Sequence, residues 1–234
     1  MMTFRHINLG YELVLLNSWL YRRMLRPWVH ALFFRDLVSA TKNFEKVTWL
    51  GHPVWQNVLD LWTIQETLAE IRPDLLIECG TNRGGSSMVF AHLFDLMNHG
   101  RIITVDVQKM HDLCHPRITY LIGSSVSQEI VNKIQARVNE CKGPVMVILD
   151  SDHAEQHVRH ELDCYARMVT PGSYCLVQDG VIDTLSVFQG DRPGPLPAIE
   201  SFLSTTNEFE VDTERTGRFL ITHHPKGWLK RKSR

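Results

Sequence analysis

The chain lacks three features that would define its class at once. It has no uninterrupted apolar run near the ~20 residues that a transmembrane helix requires. Its five cysteines include no closely spaced Cys-x-x-Cys pair, so neither a disulfide framework nor a structural zinc site is indicated. The 25 Lys and Arg residues offset 26 Asp and Glu residues, which gives no indication of a nucleic-acid partner, and we expect none. The absences favour a globular, bacterial-type cytoplasmic protein.

Aromatic and arginine residues are interspersed in the first forty positions, as at Tyr11, Trp19, Arg22, Trp28 and Arg35. This pattern predicts an amphipathic helix, and the basic start and small-residue cleavage site of a signal peptide are missing. Such a helix can lie on a membrane surface, but more often it packs on its own core or on a neighbouring subunit. We therefore expect a helical extension over residues 1–54 and a homo-oligomer, with peripheral membrane contact as the alternative.

From Leu75 onward, short apolar runs alternate with helix-length segments. The runs that predict strands are Leu75–Cys79, Ile102–Asp106, Ile118–Ile122, Val145–Asp150 and Ser173–Asp179. The segments that predict helices are Trp55–Ile71, Ser86–Asn98, Ser127–Cys141 and Ala154–Met168. Continuous apolar runs are typical of strands that are covered on both faces. The alternation predicts an α/β domain over residues 55–234, with a Rossmann-like, doubly wound, mostly parallel sheet.

The last third of the chain departs from this alternation. Gly180–Pro197 is rich in Gly, Pro and Asp and predicts a long loop, either functional or disordered, followed by a helix over Ala198–Leu203. Phe209–Asp212 and Phe219–Thr222 surround a polar stretch, which predicts a closing β-hairpin. We therefore expect the parallel sheet to end in an antiparallel C-terminal edge strand. The charged run near Lys230 is interpreted as a solvated tail.

The segment from Glu78 to Ser86 leaves the first predicted strand and enters a helix, where open α/β sheets bind ligands. We expect a cofactor there. The candidate binding residues in this turn are Glu78, Gly80, Thr81, Gly84, Gly85 and Ser86. Asp106 ends the next strand, where a carboxylate can accept hydrogen bonds from ribose hydroxyls. Ser124 and Ser125 follow the third strand and are either contacts for an adenine edge or caps of the next helix.

The glycine spacing separates two kinds of cofactor. A dinucleotide turn requires glycine at its first, third and sixth positions so that the backbone can approach the pyrophosphate. Gly80 and Gly85 fit the first and sixth positions, but Asn82 occupies the third. S-adenosylmethionine has no pyrophosphate and does not require that glycine, and Glu78 suits a cationic ligand with an amino group. The turn therefore favours S-adenosylmethionine over a nicotinamide cofactor.

Acidic residues end the fourth and fifth predicted strands, at Asp150 and Asp179. Adjacent strand ends of a parallel sheet open on the same crevice, so we expect these carboxylates to converge. Like charges held close raise the cost of ionising both acids unless a cation lies between them, and oxygen ligands suit Mg²⁺. Such an ion would activate a hydroxyl for methylation. His153, just beyond Asp150, is the candidate base, with its neutral form expected near pH 7.

Several motifs in this order resemble the cephalosporin hydroxylase/rhamnosyl O-methyltransferase family. They are LLIECGTNRGGSS, ILDSDHA, TPGSYCLVQD, RPGP and RFLITHHPKGWLKR, and the resemblance covers about residues 55 to 231. It implies a class I methyltransferase fold, S-adenosylmethionine, in many members Mg²⁺, and a small-molecule or glycoside acceptor such as a glycolipid or natural product. By position, it implies that Asp150 and Asp179 are metal ligands and that His153 is the base.

The chain departs from the family pattern at Gln178, where a glutamate usually precedes the second aspartate. A glutamine can still bind a metal through its carbonyl oxygen, so the predicted ligands are Asp150, Gln178 and Asp179. The lost charge leaves open whether the ion binds more weakly or is dispensable. Three alternatives to a sugar O-methyltransferase remain: a β-lactam or other natural-product methyltransferase or hydroxylase component, a nicotinamide oxidoreductase, and a binding protein without turnover.

Overall fold

A computed structural model describes residues 25–36 and 46–233. It contains two compact units, Met1–Asn43 and Phe44–Arg234. In the first unit, helix α1 spans Arg26–Phe34 and has a proline in its first turn, where the missing N–H leaves no hydrogen bond unmade. The amphipathic stretch predicted before Leu25 lies outside the described residues. The boundary predicted between residues 54 and 55 stays a prediction.

The second unit alternates strands and helices along the chain. Its strands are β1 (Thr48–Trp49), β2 (His52–Pro53), β3 (Leu75–Cys79), β4 (Arg101–Asp106), β5 (Ile118–Ile122), β6 (Val145–Leu149), β7 (Tyr174–Val177), β8 (Phe209–Val211) and β9 (Trp228–Arg231). Its helices are α2 (Val58–Ile71), α3 (Gly85–Leu96), α4 (Gln128–Glu140), α5 (Glu155–Tyr165), α6 (Pro195–Thr205) and α7 (Thr213–Thr216). All five predicted strands and the four predicted helices between residues 55 and 168 are present, with ends shifted by a few residues.

Seven strands form one sheet in the order β5-β4-β3-β6-β7-β9-β8. Strands β3 to β7 pair with one another in parallel, whereas β9 is antiparallel to both β7 and β8. The chain builds outward from β3 to β5 and then returns to add β6 on the other side. The strand order therefore reverses between β3 and β6, which is where sheets of this kind bind ligands.

The central strands are apolar because helices cover both faces of the sheet. Every residue of β3 and β6 is buried. One face packs against α2 and α3 through residues that include Ile64, Leu68, Phe90 and Phe94. The other face packs against α4, α5 and α6 through residues that include Ile134, Leu162 and Ile199. The predicted α/β class is confirmed, including antiparallel pairing at the C-terminal side of the sheet.

The predicted C-terminal hairpin is wrong in its second strand. Phe209–Val211 forms β8, but its partner is Trp228–Arg231 and not Phe219–Thr222. The side chain of Asp60 on α2 accepts hydrogen bonds from the Thr222 hydroxyl and the His223 N–H. These bonds hold Thr222 and His223 at the helix. The buried Trp228 and the residues after it therefore pair with β8 in place of Phe219–Thr222.

The charged run near Lys230 is not a solvated tail, because Lys230 and Arg231 belong to β9. The Arg231 guanidinium donates to the carbonyl oxygens of Arg167 and Val169 and to the Glu208 carboxylate. The aliphatic stems of such residues can cover apolar surface while the charged ends reach polar partners. The basic run is therefore part of a strand that pairs with both β7 and β8.

The segment predicted as a long loop after β7 is more regular than its composition indicates. Short 3₁₀ helices span Gly180–Asp183 and Ser186–Asp191, and α6 begins at Pro195. The Asp183 carboxylate accepts hydrogen bonds from the N–H groups of Gly194 and Leu196. At the start of a helix such N–H groups have no partner within the helix itself. Asp183 therefore fixes the start of α6. None of the helices in residues 25–36 and 46–233 combines the length and the apolar character of a membrane span.

Candidate active site

A cavity of about 650 Å³ opens at the carboxyl ends of the parallel strands. Its walls come from the turn after β3, the ends of β4 and β5, the segment after β6 and the end of β7. The segment before α2 closes one side through Trp55 and Gln56. The predicted cofactor turn and the two predicted acids therefore border one space.

Gly80 allows the turn after β3 to pass close to the end of β6. Its φ is +98°, and a Cβ at this position would overlap the carbonyl oxygen of Asp150. The N–H groups of Thr81 and Asn82 donate to Asp106 Oδ2 at 3.1 and 2.8 Å. Asp106 thus orders the turn from the tip of the next strand and also lines the cavity.

The other predicted residues of this turn divide between the cavity wall and its support. Gly85 and Ser86 line the cavity with Gly80 and Thr81, whereas Glu78 and Gly84 do not. The Glu78 carboxylate is buried and accepts from the hydroxyls of Ser86 and Ser87. Burial raises the pKa of Glu78, and the two hydroxyls act in the opposite direction. The structure therefore places Glu78 beneath the turn.

Of the two serines after β5, Ser125 lines the cavity and Ser124 does not. The Ser125 hydroxyl lies 3.1 Å from His157 Nε2, and His157 also lines the cavity. The buried carboxylate of Glu161 lies 3.4 Å from the same nitrogen and raises the pKa of His157 through its hydrogen bond. His157 could not be recognised from the sequence, since one histidine within a helix carries no distinctive signal.

Asp150, His153 and Asp179 lie close together on the wall of the cavity. His153 Nε2 lies 3.0 Å from Asp179 Oδ2 and 3.9 Å from Asp150 Oδ1. One ligand atom from each residue can be chosen so that all lie within 4.8 Å of one another. The side chains of the two acids are 18% and 25% exposed, so a ligand in the cavity can reach them.

The ionisation of these groups follows from their crowding. Burial and then the charge of Asp179 raise the pKa of Asp150 well above its ordinary value. Burial opposes ionisation of Asp179 too, but His153 and His223 hold the pKa of Asp179 well below its ordinary value. Burial acts to lower the pKa of His153, yet Asp179 and then Asp150 raise it to about 9. Without a cation His153 is therefore protonated near pH 7, unlike the expectation from the sequence.

Two consecutive histidines fix Asp179. This residue has a φ of +56°, a conformation uncommon for residues other than glycine. Its N–H donates to His224 Nδ1 at 3.1 Å, and His223 Nδ1 lies 3.4 Å from Asp179 Oδ1. Both histidines belong to the motif RFLITHHPKGWLKR, but nothing in the sequence indicates their role. The structure places them behind the Asp179 carboxylate.

Gln178 is 2% exposed and does not line the cavity. Its Oε1 accepts a hydrogen bond of 2.8 Å from Gln56 Nε2, which also donates to Asp150 Oδ2 at 2.9 Å. Gln56 had no recognisable signal in the sequence. The group that the geometry brings together is therefore Asp150, His153 and Asp179. Two carboxylates and an imidazole suit a divalent ion such as Mg²⁺ or Mn²⁺. Burial and then the charge of Asp179 raise the pKa of Asp150, and a bound cation would oppose both effects.

The strand order, the glycine turn after the first strand and the acids at the strand ends define the protein as a class I methyltransferase. Residues 41–232 match the sequence model of the Rhamnosyl O-methyltransferase/CmcI family. The chain belongs to this family and is an S-adenosylmethionine-dependent O-methyltransferase. The resemblance inferred from the sequence motifs is thus confirmed.

Two mycobacterial relatives and one solved structure illustrate the family. The chain is 34% identical over 225 residues to the Rhamnosyl O-methyltransferase of Mycobacterium bovis, covering 88% of this chain and 91% of the relative. It is 32% identical over 228 residues to that of Mycobacterium leprae, covering 90% and 98%. A structure of CmcI with Mg and SAM has a TM-score of 0.62 at 17% identity, covering 82% of this chain and 78% of that chain. The last similarity shows the fold.

Proposed function

We propose that the protein transfers the methyl group of S-adenosylmethionine to a hydroxyl of a sugar, with the help of a divalent cation. The observation that carries this proposal is the convergence of Asp150, His153 and Asp179 on the cavity that the Gly80 turn and Asp106 also border. The sugar is supported by the relatives in Mycobacterium bovis and Mycobacterium leprae, which are named rhamnosyl O-methyltransferases.

The cofactor end of the cavity is assigned to the turn after β3. Gly80, Thr81, Gly85 and Ser86 form the wall on which the methionine part of the cofactor would lie. Asp106 has a carboxylate at the tip of β4, where it can accept hydrogen bonds from the ribose hydroxyls. We assign the adenine contact to Ser125 among the two serines. Glu78 supports the turn through the hydroxyls of Ser86 and Ser87, and Gly84 and Ser124 are not assigned a contact with the cofactor.

The acidic end of the cavity is assigned to the reaction. Asp150 and Asp179 would hold the cation, which when bound lowers the pKa of a hydroxyl that contacts it. His153 Nε2 faces both carboxylates from the cavity side and is the candidate acceptor for the proton of the sugar hydroxyl. The three residues also fix the position of that hydroxyl, which must lie in line with the sulfonium methyl group.

The test is methylation of a panel of acceptors. The protein is incubated with S-adenosylmethionine, Mg²⁺ and rhamnosides, other glycosides or hydroxylated non-sugar natural products, and methylation is followed by mass spectrometry. The proposal expects methylation of glycosides and its loss when EDTA removes the cation. Methylation of non-sugar acceptors alone would contradict the sugar assignment while retaining the enzyme class.

The remaining predictions about surroundings also belong here. A cytoplasmic location, a homo-oligomer and peripheral membrane contact through the N-terminal segment stay predictions. They rest on the composition of the chain and on the aromatic, arginine-containing sequence around Trp19. Light scattering and flotation with anionic vesicles test the last two.

A further inference from the structure

Gln56 connects the ends of the two strands that carry the catalytic acids. It lies in the segment before α2 and is 3% exposed. Its Nε2 is 2.9 Å from Asp150 Oδ2, just after β6, and 2.8 Å from Gln178 Oε1, just after β7. A primary amide nitrogen has two hydrogens, so one hydrogen is directed to each acceptor.

The two acceptors determine the orientation of the Gln56 amide. The reverse orientation would direct its carbonyl oxygen at the carboxylate of Asp150 and at the carbonyl of Gln178. Among the described residues, Gln56 Oε1 and Gln178 Nε2 are buried and have no hydrogen-bond partner. Buried polar groups are usually satisfied. Because these two atoms have no partner, the orientation of both amides is set by the two hydrogen bonds that Gln56 Nε2 donates.

The two carboxylate oxygens of Asp150 have different partners. Oδ2 faces Gln56, and Oδ1 is the atom nearer to His153. On the neighbouring strand, Asp179 Oδ1 faces the imidazole of His223, and Oδ2 faces His153. Each carboxylate is therefore held by one oxygen and presents the other to the same point.

We propose that Gln56 is a positioning residue of the cation site, and that Gln178 is its second anchor and not a ligand. This inference rests on the proposed function. Gln178 Oε1 is engaged by Gln56, and the side chain does not line the cavity. The neutral pair holds Asp150 without adding a third negative charge beside Asp150 and Asp179, so a cation is bound by these two carboxylates.

The experiment compares Mn²⁺ binding, followed by electron paramagnetic resonance, in the full chain and in variants. Gln56→Met keeps the length of the side chain and removes the donor. We expect it to weaken Mn²⁺ binding by about tenfold or more, as loss of a group that supports a metal ligand does. The affinity for S-adenosylhomocysteine in EDTA and the KM for S-adenosylmethionine should stay unchanged while kcat falls.

Two further variants complete the design. Gln65→Met makes the same change on α2, at a residue that does not line the cavity, and should leave Mn²⁺ binding unchanged. Gln178→Met removes the anchor and should weaken binding less than Gln56→Met does. Gln56→Asn, which withdraws the amide but keeps its polarity, replaces Gln56→Met if that variant does not fold, and should also weaken binding.

The outcomes separate this inference from the proposed function. Unchanged Mn²⁺ binding in a folded Gln56 variant overturns the positioning role. A larger loss in Gln178→Met than in Gln56→Met shows that Gln178 binds the ion and overturns the assignment of ligands. Absence of Mn²⁺ binding in the wild-type protein removes the cation site itself, and with it both the metal part of the proposed function and this inference.

Discussion

His153 Nε2 lies 3.0 Å from Asp179 Oδ2, at the point where the ends of β6 and β7 meet the cavity. The same nitrogen is 3.9 Å from Asp150 Oδ1, so a single positive group faces two carboxylates. Without a cation the imidazolium of His153 supplies that charge, because Asp179 and Asp150 raise its pKa to about 9. The arrangement is suited to exchange this charge for that of a divalent ion.

The first prediction concerns Asp150. Asp150→Asn should reduce methyl transfer by at least about a hundredfold, since a direct ligand contributes no less than the groups that support it. The fold should remain, because the amide oxygen of asparagine can accept from Gln56. Transfer of a labelled methyl group measures the first effect and thermal unfolding the second. Asp163→Asn, an exposed acid on α5, is the matched control, and wild-type turnover in folded Asp150→Asn would remove the role of this carboxylate.

A second prediction concerns the close approach at Gly80. In Gly80→Ala the new methyl group overlaps the carbonyl oxygen of Asp150, at a φ of +98°. The backbone of the turn must move, so we expect loss of cofactor binding and a lower free energy of unfolding. Calorimetry with S-adenosylhomocysteine and urea unfolding measure the two effects. Gly190→Ala, where a Cβ meets nothing within 4 Å, should change neither, and equal behaviour of the two variants contradicts the packing argument.

A third prediction concerns Asp106, which accepts hydrogen bonds from the N–H groups of Thr81 and Asn82. Asp106→Ala should weaken binding of S-adenosylhomocysteine by on the order of 1 kcal/mol or more, through lost hydrogen bonds to the turn and the ribose. Isothermal titration calorimetry gives the affinity. Asp112→Ala removes the same charge from an exposed position nearby and should have little effect. Unchanged affinity in Asp106→Ala would show that the cofactor lies elsewhere.

A fourth prediction uses the pKa of Glu78, which burial raises above 4.5 in the folded protein. A carboxyl with a raised folded pKa binds its proton more tightly in the folded than in the unfolded state. Its contribution to stability is therefore complete below pH 4.5 and is lost as pH rises through the folded pKa. Glu78→Gln removes this titration. The free energy of unfolding of the variant should therefore increase relative to that of the wild type as pH rises. Urea unfolding from pH 4 to 8 measures this, and parallel curves contradict it.

The parts of the fold that were predicted correctly are those in which local sequence and final burial agree. Strands β3 and β6 are buried at every residue, and their sequences are accordingly continuous apolar runs. The acids that follow strands could be predicted to converge because parallel strands end at the same edge of a sheet. These features require only the order of elements along the chain.

The features that were missed depend on contacts between distant segments. Gln56 reaches Asp150 across 94 positions of the chain, and the Asp60 carboxylate holds the His223 N–H across 163. Neither contact produces a periodic pattern. The final strand was missed because its sequence, Trp228 to Arg231, is short and half basic. The side chain of Gln178 was assigned to the cation by position, whereas its direction depends on Gln56.

The most direct test of the account is calorimetric titration of the protein with S-adenosylmethionine and S-adenosylhomocysteine, first with Mg²⁺ and then with EDTA. We expect both to bind with dissociation constants on the order of micromolar, which corresponds to a binding free energy of about −8 kcal/mol, because the Gly80 turn and Asp106 form the cofactor site. Absence of binding in both conditions would contradict the assignment of the cavity and of every residue placed in it.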